Sequence, residues 1–236
     1  MEKAILMASG MGIRMRPLTN KTPKPLIKVN EKPMIETIIE GLRNRGVNEI
    51  YVVVGYLAEQ FEYLRDQYEG LKIIKNPDYQ KVNNISSVYY ARDVLYSGEN
   101  CFICEADLFL TDKNLFKCQL ENSCYFGKIV KGLSTDWVFD VNAQGRITRV
   151  GKIGNDCWNM TGIAYFLSND CKILADAIYE AYNKSDFDSK FWDDIVNDNL
   201  DKLNLCIHPI SGYEISEIDT VEELDLINRR LKGQKI

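Results

Sequence analysis

The run EIYVVVG, Glu49 to Gly55, restricts what this chain can fold into more than any other stretch. It is nearly continuous in apolar and β-branched residues with no alternation of polar positions, the pattern of a strand buried on both faces. Such a strand needs cover above and below, and the flanking chain can supply it. Pro33 suits a first helical turn, Met34, Ile35, Ile38, Ile39 and Leu42 follow at helical spacing, and Gly46 ends the helix. A second helical pattern carries Leu57, Phe61 and Leu64, and LKII (Leu71 to Ile74) reads as a further strand. With the apolar run Ala4 to Met7 as the first strand, this alternation predicts a parallel sheet with helices on both sides, an α/β fold.

Residues 76 to 87 (NPDYQKVNNISS) are polar and turn-rich, and Ser86 or Ser87 is expected to cap a helix running to Leu95. CFICEADLFL (Cys101 to Leu110) then reads as one buried strand ending in acids. The second half changes character. Residues 122 to 150 read as antiparallel strands with a turn at Asn142 to Gly145, and MTGIAYFL (Met160 to Leu167) reads as another strand. An amphipathic helix with Cys171, Leu174, Ala175 and Ile178 on one face follows; FWDDIVNDNL continues as helix and LNLCIHPI returns as strand. Thr220 with Glu223 three residues later forms a capping box for a terminal helix carrying Leu224, Ile227 and Leu231. The absence of a repeat, low-complexity tract or linker predicts a single domain over residues 1–236 with a small antiparallel insertion in its second half.

Composition excludes several classes of function. A net charge of -5 and a pI near 5.1 argue against a general nucleic-acid binder, which carries a net basic face. No apolar run approaches the roughly 20 residues that span a bilayer, and the N-terminus lacks a signal-peptide layout, so a cytoplasmic protein without membrane insertion is expected. The seven cysteines are odd in number, dispersed and mostly beside apolar residues, as buried thiols in a reducing compartment would be. Cys101 and Cys104 form a CxxC, but inside a strand pattern and with no second pair at zinc spacing. The one histidine, His208, has no nucleophile motif nearby and reads as structural.

The charge that matters is local. No acidic residue occurs from Lys3 to Asn30, whereas Arg14, Arg16, Lys21, Lys24 and Lys28 all do, around the stretch LMASGMGIRMRPLTNKTPKPL directly after the first strand. Gly10 and Gly12 would let the backbone turn with φ > 0 and bring N–H groups close to phosphate oxygens, and the basic residues would neutralise the phosphate charge. The dinucleotide fingerprint fails because Met15 stands where GxGxxG needs its third glycine, and GMGIRMRPLT lacks the GK[ST] of a P-loop.

What remains is G-x-G-x-R-x-x-P-L-T followed by P-K-P-L, with VGYLAEQFEYL, EADLFL, FWDDIVNDN and EID further along. On these stretches the chain resembles the sugar-1-phosphate nucleotidylyltransferases, and among them the bacterial CTP:phosphocholine cytidylyltransferases of the LicC type. The resemblance runs over nearly the whole chain, densest in residues 1 to 110 and thinnest in 111 to 160. It implies the nucleotide-diphospho-sugar transferase fold, a Rossmann-like mixed, mostly parallel sheet flanked by helices. It divides the chain into a nucleotide-binding half (1–110), an acceptor-binding half (111–219) and a C-terminal helix (220–236). The implied reaction is transfer of a cytidylyl group from CTP to phosphocholine, giving CDP-choline and pyrophosphate, with Mg²⁺ as cofactor. The partners are then small-molecule substrates, with no nucleic acid, and a homodimer is compatible with such a chain. By the same resemblance Gly10, Gly12 and Arg14 hold the triphosphate, Lys24 contacts the phosphates at the reacting centre, and Arg14 and Lys24 are the catalytic pair. Asp107 and Asp219 hold Mg²⁺, while Ala8, Ser9, Gly55, Tyr56, Asn84, Ser86, Ser87, Glu105 and Ala106 complete the nucleotide site.

Physical chemistry supports those roles independently. Attack of a phosphate monoester on the α-phosphorus of a triphosphate brings two anions together, so charge must be screened and the oxygens aligned. Two aspartates from separate strands supply the hard oxygen ligands that Mg²⁺ prefers. For the acceptor, a quaternary ammonium has no N–H to donate and must be recognised by aromatic faces and a nearby carboxylate. Trp137, Trp158 and Trp192 lie in the second half, Asp136, Asp193 and Asp194 adjoin two of them, and Glu217 shares a strand face with Asp219. Trp137, Trp192, Asp193 and Glu217 are therefore the expected acceptor residues. A primary amine, phosphoethanolamine or 2-aminoethylphosphonate, would want carboxylates and hydroxyls more than a cage, and a sugar-1-phosphate would want Asn, Glu and backbone partners. A non-catalytic nucleotide-sensing subunit would be free to lose Arg14, Lys24 or Asp107, and this chain keeps all three.

Overall fold

The computed structural model describes residues 1–233; residues 234 to 236, which the expected C-terminal helical segment includes, lie outside the described residues. The chain runs β1 (Glu2–Ala8), β2 (Lys28–Val29), β3 (Lys32–Pro33), α1 (Met34–Arg45), β4 (Glu49–Val54), α2 (Tyr63–Gln67), β5 (Leu71–Lys75), α3 (Ile85–Tyr90), α4 (Arg92–Leu95), β6 (Asn100–Glu105) and β7 (Leu108–Leu110). It continues through β8 (Cys124–Val141), β9 (Ile147–Phe166), α5 (Ser168–Tyr182), α6 (Trp192–Asn197), β10 (Cys206–Pro209), β11 (Ile215–Glu217) and α7 (Val221–Leu231). Seven strands form one sheet in the order β10-β8-β9-β6-β1-β4-β5. β6, β1, β4 and β5 are mutually parallel, and β9 is antiparallel to both β6 and β8. The Rossmann-like half and the antiparallel insertion thus share a single sheet.

The run at Glu49–Val54 takes the position its composition predicts, between β1 and β5, with Ile50, Val52, Val53 and Val54 fully buried. Its alternate side chains serve two cores. Ile50, Val52 and Val54 pack with Ile35, Ile38, Ile39 and Leu42 of α1, whereas Val53 packs with Ile85 and Val88 of α3 and with Cys171, Leu174, Ala175 and Ile178 of α5. Cys101 and Cys104 fall into opposite clusters, which separates the CxxC by the thickness of the sheet; all seven thiols are free. His208 packs against Phe126 with ring centroids 4.7 Å apart and the rings tilted by 50°. No helix among the described residues is long and apolar enough to cross a membrane.

Several local expectations change. CFICEADLFL is two strands, not one: β6 stops at Glu105, and β7 leaves the main sheet to pair antiparallel with β11. That break at Ala106–Asp107 is what brings the chain end, Ile215–Glu217, beside the acids. Ser86 and Ser87 are not caps but lie inside α3, which begins after Asn84, and the helix pauses at Ala91 before α4. The pattern around Leu57, Phe61 and Leu64 forms a 3₁₀ turn and then α2. MTGIAYFL is the end of the long strand β9 and not a separate one. The capping box at Thr220 and Glu223 forms as expected, and Glu223 Oε2 also accepts from the backbone N–H of Asp219 at 2.7 Å.

Candidate active site

Strand register assembles the site. Ala8 lies beside Val54 and Met7 beside Glu105, so the glycine loop and the first acid leave the sheet at its carboxyl edge, where ligands of open α/β sheets bind. Gly12 has φ of 59°, and a Cβ there would stand 2.8 Å from Lys24 Cβ and 3.0 Å from Thr19 Cγ2, so loop shape and lysine position depend on the missing side chain. Gly10 differs. It has no positive φ, and a Cβ on it would meet nothing within 4 Å, so the expected left-handed turn belongs to Gly12 alone. Thr19 Oγ1 donates to the Gly12 carbonyl at 2.9 Å, the Tyr56 hydroxyl donates to the Thr19 carbonyl at 2.9 Å, and the Tyr56 N–H donates to the Ser9 carbonyl at 3.1 Å.

Lys24 Nζ lies 2.5 Å from Asp107 Oδ2 and 2.6 Å from Asp219 Oδ1, and Arg14 Nη2 is 2.6 Å from the same Asp219 oxygen. Burial alone would pull the Lys24 pKa down, but the attraction of Asp107 and then Asp219 outweighs it and holds the pKa above its ordinary value. Burial acts on Asp219 in the opposite direction to Lys24 and Arg14, and the cations prevail, holding this carboxyl below its usual range. Two neighbours go the other way. Glu105 is pushed well above the usual carboxylate range by burial and then by the charge of Asp107. Glu217 opens onto the cavity yet is recessed among protein, and that recess, with the charges of Asp107 and Asp219, pushes it up to about 8.

Carboxylate oxygens of Glu105, Asp107 and Glu217 lie within 4.8 Å of one another, and Asp107 Oδ1 is buried with no hydrogen-bond partner. A buried, orphaned carboxylate oxygen among further hard oxygen donors fits a divalent cation such as Mg²⁺. The acidic group includes Glu105 and Glu217 beside Asp107, whereas Asp219 is engaged by the two cations.

A cavity of about 650 Å³ joins these residues to the second half of the chain. Of the expected residues, Ala8, Gly10, Gly12, Arg14, Lys24, Asn84, Glu105, Asp107, Trp137, Glu217 and Asp219 line it. Ser9, Gly55, Tyr56, Ser86, Ser87 and Ala106 do not. Gly55 lies under the Tyr79 ring, where a Cβ would approach to 2.5 Å, and Ala106 is buried with its N–H donating to the Met7 carbonyl. The serines form a buried chain: Asn76 Nδ2 donates to Ser86 Oγ at 2.8 Å and Ser87 Oγ at 3.3 Å, Ser87 Oγ reaches Ser9 Oγ at 3.3 Å, and Ser9 Oγ donates to the Val53 carbonyl. They brace the wall on which Asn84 sits, and Asn76, their hub, carried no signal in the sequence.

Two acceptor expectations are corrected. Trp192 is buried in the core, stacked on Tyr125 at 5.7 Å, and Asp193 accepts a hydrogen bond from the Tyr125 hydroxyl at 3.0 Å, with burial pushing its carboxyl up to about 7. Trp158 is half-buried and packs against the same core. Phe191 is the N-cap residue of α6 in extended backbone, and Trp192 is the first residue of the helix, so the aromatic that reaches the cavity is Phe191 and not its neighbour. Phe191 meets Trp137 edge to face at 5.5 Å. Lys128, Lys152, Thr135, Asp136 and Asn159 come from β8 and β9 and complete this wall. Only the strand register, which is broken by several bulges, brings the two lysines there.

A cavity at the carboxyl ends of parallel strands, where a basic loop faces a carboxylate cluster, defines an α/β protein that handles phosphate esters. The sequence profile of the nucleotidyl transferase family matches residues 3–123, and the chain belongs to that family. It is 49% identical over 94% of its length to the 2-aminoethylphosphonate cytidylyltransferase of Lancefieldella rimae, covering 89% of that protein. It is 34% identical to the choline-phosphate cytidylyltransferase of Streptococcus pneumoniae, over 98% of this chain and 99% of the other. The solved structure of the Streptococcus pneumoniae CTP:phosphocholine cytidylyltransferase LicC superposes with a TM-score of 0.90 at 32% identity, covering 98% of this chain and 99% of that one.

Proposed function

We propose that this protein transfers a cytidylyl group from CTP to a small aminoalkyl phosphonate or phosphate, 2-aminoethylphosphonate foremost, with release of pyrophosphate. The observation that carries the acceptor is the composition of the outer cavity wall. Of the three tryptophans that could have caged a quaternary ammonium, Trp192 is buried in the core and Trp158 is half-buried against it, while Asp136, Glu217 and Thr135 offer oxygens to a primary ammonium and Lys128 offers charge to a phosphonate. The choice of CTP is supported by the relatives, both of which are cytidylyltransferases, and the one acting on 2-aminoethylphosphonate shares 49% identity. Phosphocholine is the second reading, favoured by the Trp137–Phe191 pair and by the likeness to LicC.

In this reading the backbone around Gly10 and Gly12 cradles the triphosphate, and Arg14 and Lys24 screen the negative charge of two approaching anions. An oxygen of the acceptor phosphonate, already ionised near neutral pH, forms the new bond to the α-phosphorus as the bond from that phosphorus to the pyrophosphate oxygen breaks. No general base is required. Lys24 is held between Asp107 and Asp219, and its ammonium is therefore fixed before substrate arrives, which lowers the reorganisation needed at the reacting centre. Asp107 and Asp219, with Glu105 and Glu217 near them, would hold Mg²⁺, which when bound supplies further neutralisation of phosphate charge. Asn84 Oδ1 accepts from the backbone N–H of Trp192 at 3.1 Å, so its side-chain amide donors are what it can offer a base.

The test is pyrophosphate release across four nucleoside triphosphates against 2-aminoethylphosphonate, phosphoethanolamine, phosphocholine and glucose-1-phosphate. Turnover is expected with CTP and greatest with 2-aminoethylphosphonate. No turnover anywhere would overturn the enzyme, and turnover with glucose-1-phosphate alone would overturn the aminoalkyl acceptor.

A further inference from the structure

Lys152 stands on β9 directly across from Trp137 in the strand register. Its Nζ is 5.3 Å from the Trp137 ring centroid and 4.7 Å from that of Phe191, both within the range of a cation–π contact. Among the described residues it joins no ion pair, although Asp136 lines the same cavity. Immediately beyond it Ile153 has φ of 69°, a conformation that a β-branched residue adopts only where its surroundings impose it, and the pairing of β8 with β9 shifts register there. The chain therefore places its own ammonium on the one pair of aromatic faces that the cavity offers.

We propose that Lys152 is a specificity-determining residue that turns away quaternary ammonium acceptors, an inference that deepens the aminoalkyl reading above and rests on it. A trimethylammonium group has no N–H, so aromatic faces are its main favourable contact. To use Trp137 and Phe191 it must displace the Lys152 ammonium and then remain beside it as a like charge, an exclusion by repulsion and not by shape. A primary ammonium escapes this restriction. Its three N–H donors reach the oxygens of Asp136 or Glu217 without any need for the rings, and Lys152 can stay where it is.

Lys152→Met retains the stem and removes the charge, while Lys152→Arg retains the charge. Steady-state rates with CTP are compared for 2-aminoethylphosphonate and phosphocholine. The expected result is that the methionine variant raises the phosphocholine to 2-aminoethylphosphonate ratio of kcat/KM by about tenfold, close to 1.4 kcal/mol, through a lower KM for phosphocholine. KM for CTP should stay unchanged, and the arginine variant should keep the wild-type ratio. Tetramethylammonium, read by quenching of tryptophan fluorescence, should bind about tenfold more tightly to the methionine variant. An unchanged ratio, or an equal fall with both acceptors, overturns the role of Lys152, as does tetramethylammonium binding that does not tighten. Wild-type preference for phosphocholine would instead overturn the acceptor reading, and the tetramethylammonium comparison would still judge Lys152 by itself.

Discussion

The two walls of the cavity are built on opposite principles. On the β1 side the cations that face the reacting centre already have partners: Lys24 bridges Asp107 and Asp219, and Arg14 holds Asp219 from outside. On the β8–β9 side the charges lining the cavity, Lys128, Asp136 and Lys152, join no ion pair among the described residues, and the arm that carries them exposes Ile129, Leu133 and Ile153. Paired groups are fixed before any ligand arrives, which suits a reaction that needs alignment. Unpaired groups on an irregular arm keep their valences for the ligand, which suits selection among acceptors. Chemistry and choice are thus separated in the fold, and changes on one wall should leave the other's kinetic signature alone.

The sharpest way to break this contrast is Lys24→Ala, which should lower kcat by about 10²–10³-fold with circular dichroism unchanged; near-wild-type turnover would show that the paired wall is only structural. Gly12→Ala comes next. The new Cβ would sit 2.8 Å from Lys24 Cβ in a left-handed backbone, so kcat/KM for CTP should fall by about tenfold with the KM for acceptor unaltered. On the other wall, Trp137→Leu should raise the KM for phosphocholine by about fivefold and leave the KM for 2-aminoethylphosphonate and for CTP as they were; a change in CTP binding would merge the two walls.

The smallest kinetic effect is expected behind the acceptor wall, at Asp193. Its carboxyl titrates near 7 in the folded chain against an ordinary value of 3.8, because it is buried. Between about pH 4 and 7 the folded state therefore holds a proton that the unfolded state has released, and stability falls as pH rises through that window. Asp193→Asn keeps an acceptor for the Tyr125 hydroxyl and removes the titration. Its Tm should exceed that of the wild type by about 4 °C at pH 8, the difference should vanish near pH 4, and both KM values should be unchanged. A raised KM for acceptor would return Asp193 to the site.

The glycine loop, the basic cluster, Asp107 and the capping box that anchors Asp219 could all be read from the sequence. Each is a local pattern whose physics acts within a few residues: a tight turn, a run without acids, a cap. The alternation of apolar runs likewise determined the parallel half of the sheet, since burial on both faces leaves few other arrangements. What the sequence could not reveal was which side chains of the second half face the cavity. Trp192 and Phe191 are neighbours of similar character, and the change from the extended N-cap backbone of Phe191 to the helix that Trp192 opens sends one to the site and one to the core. Lys152 and Trp137 are brought together only by a register that several bulges interrupt. Loop chemistry is a short-range property and composition records it, whereas the acceptor wall depends on side-chain direction and strand register, which only the packed tertiary structure decided.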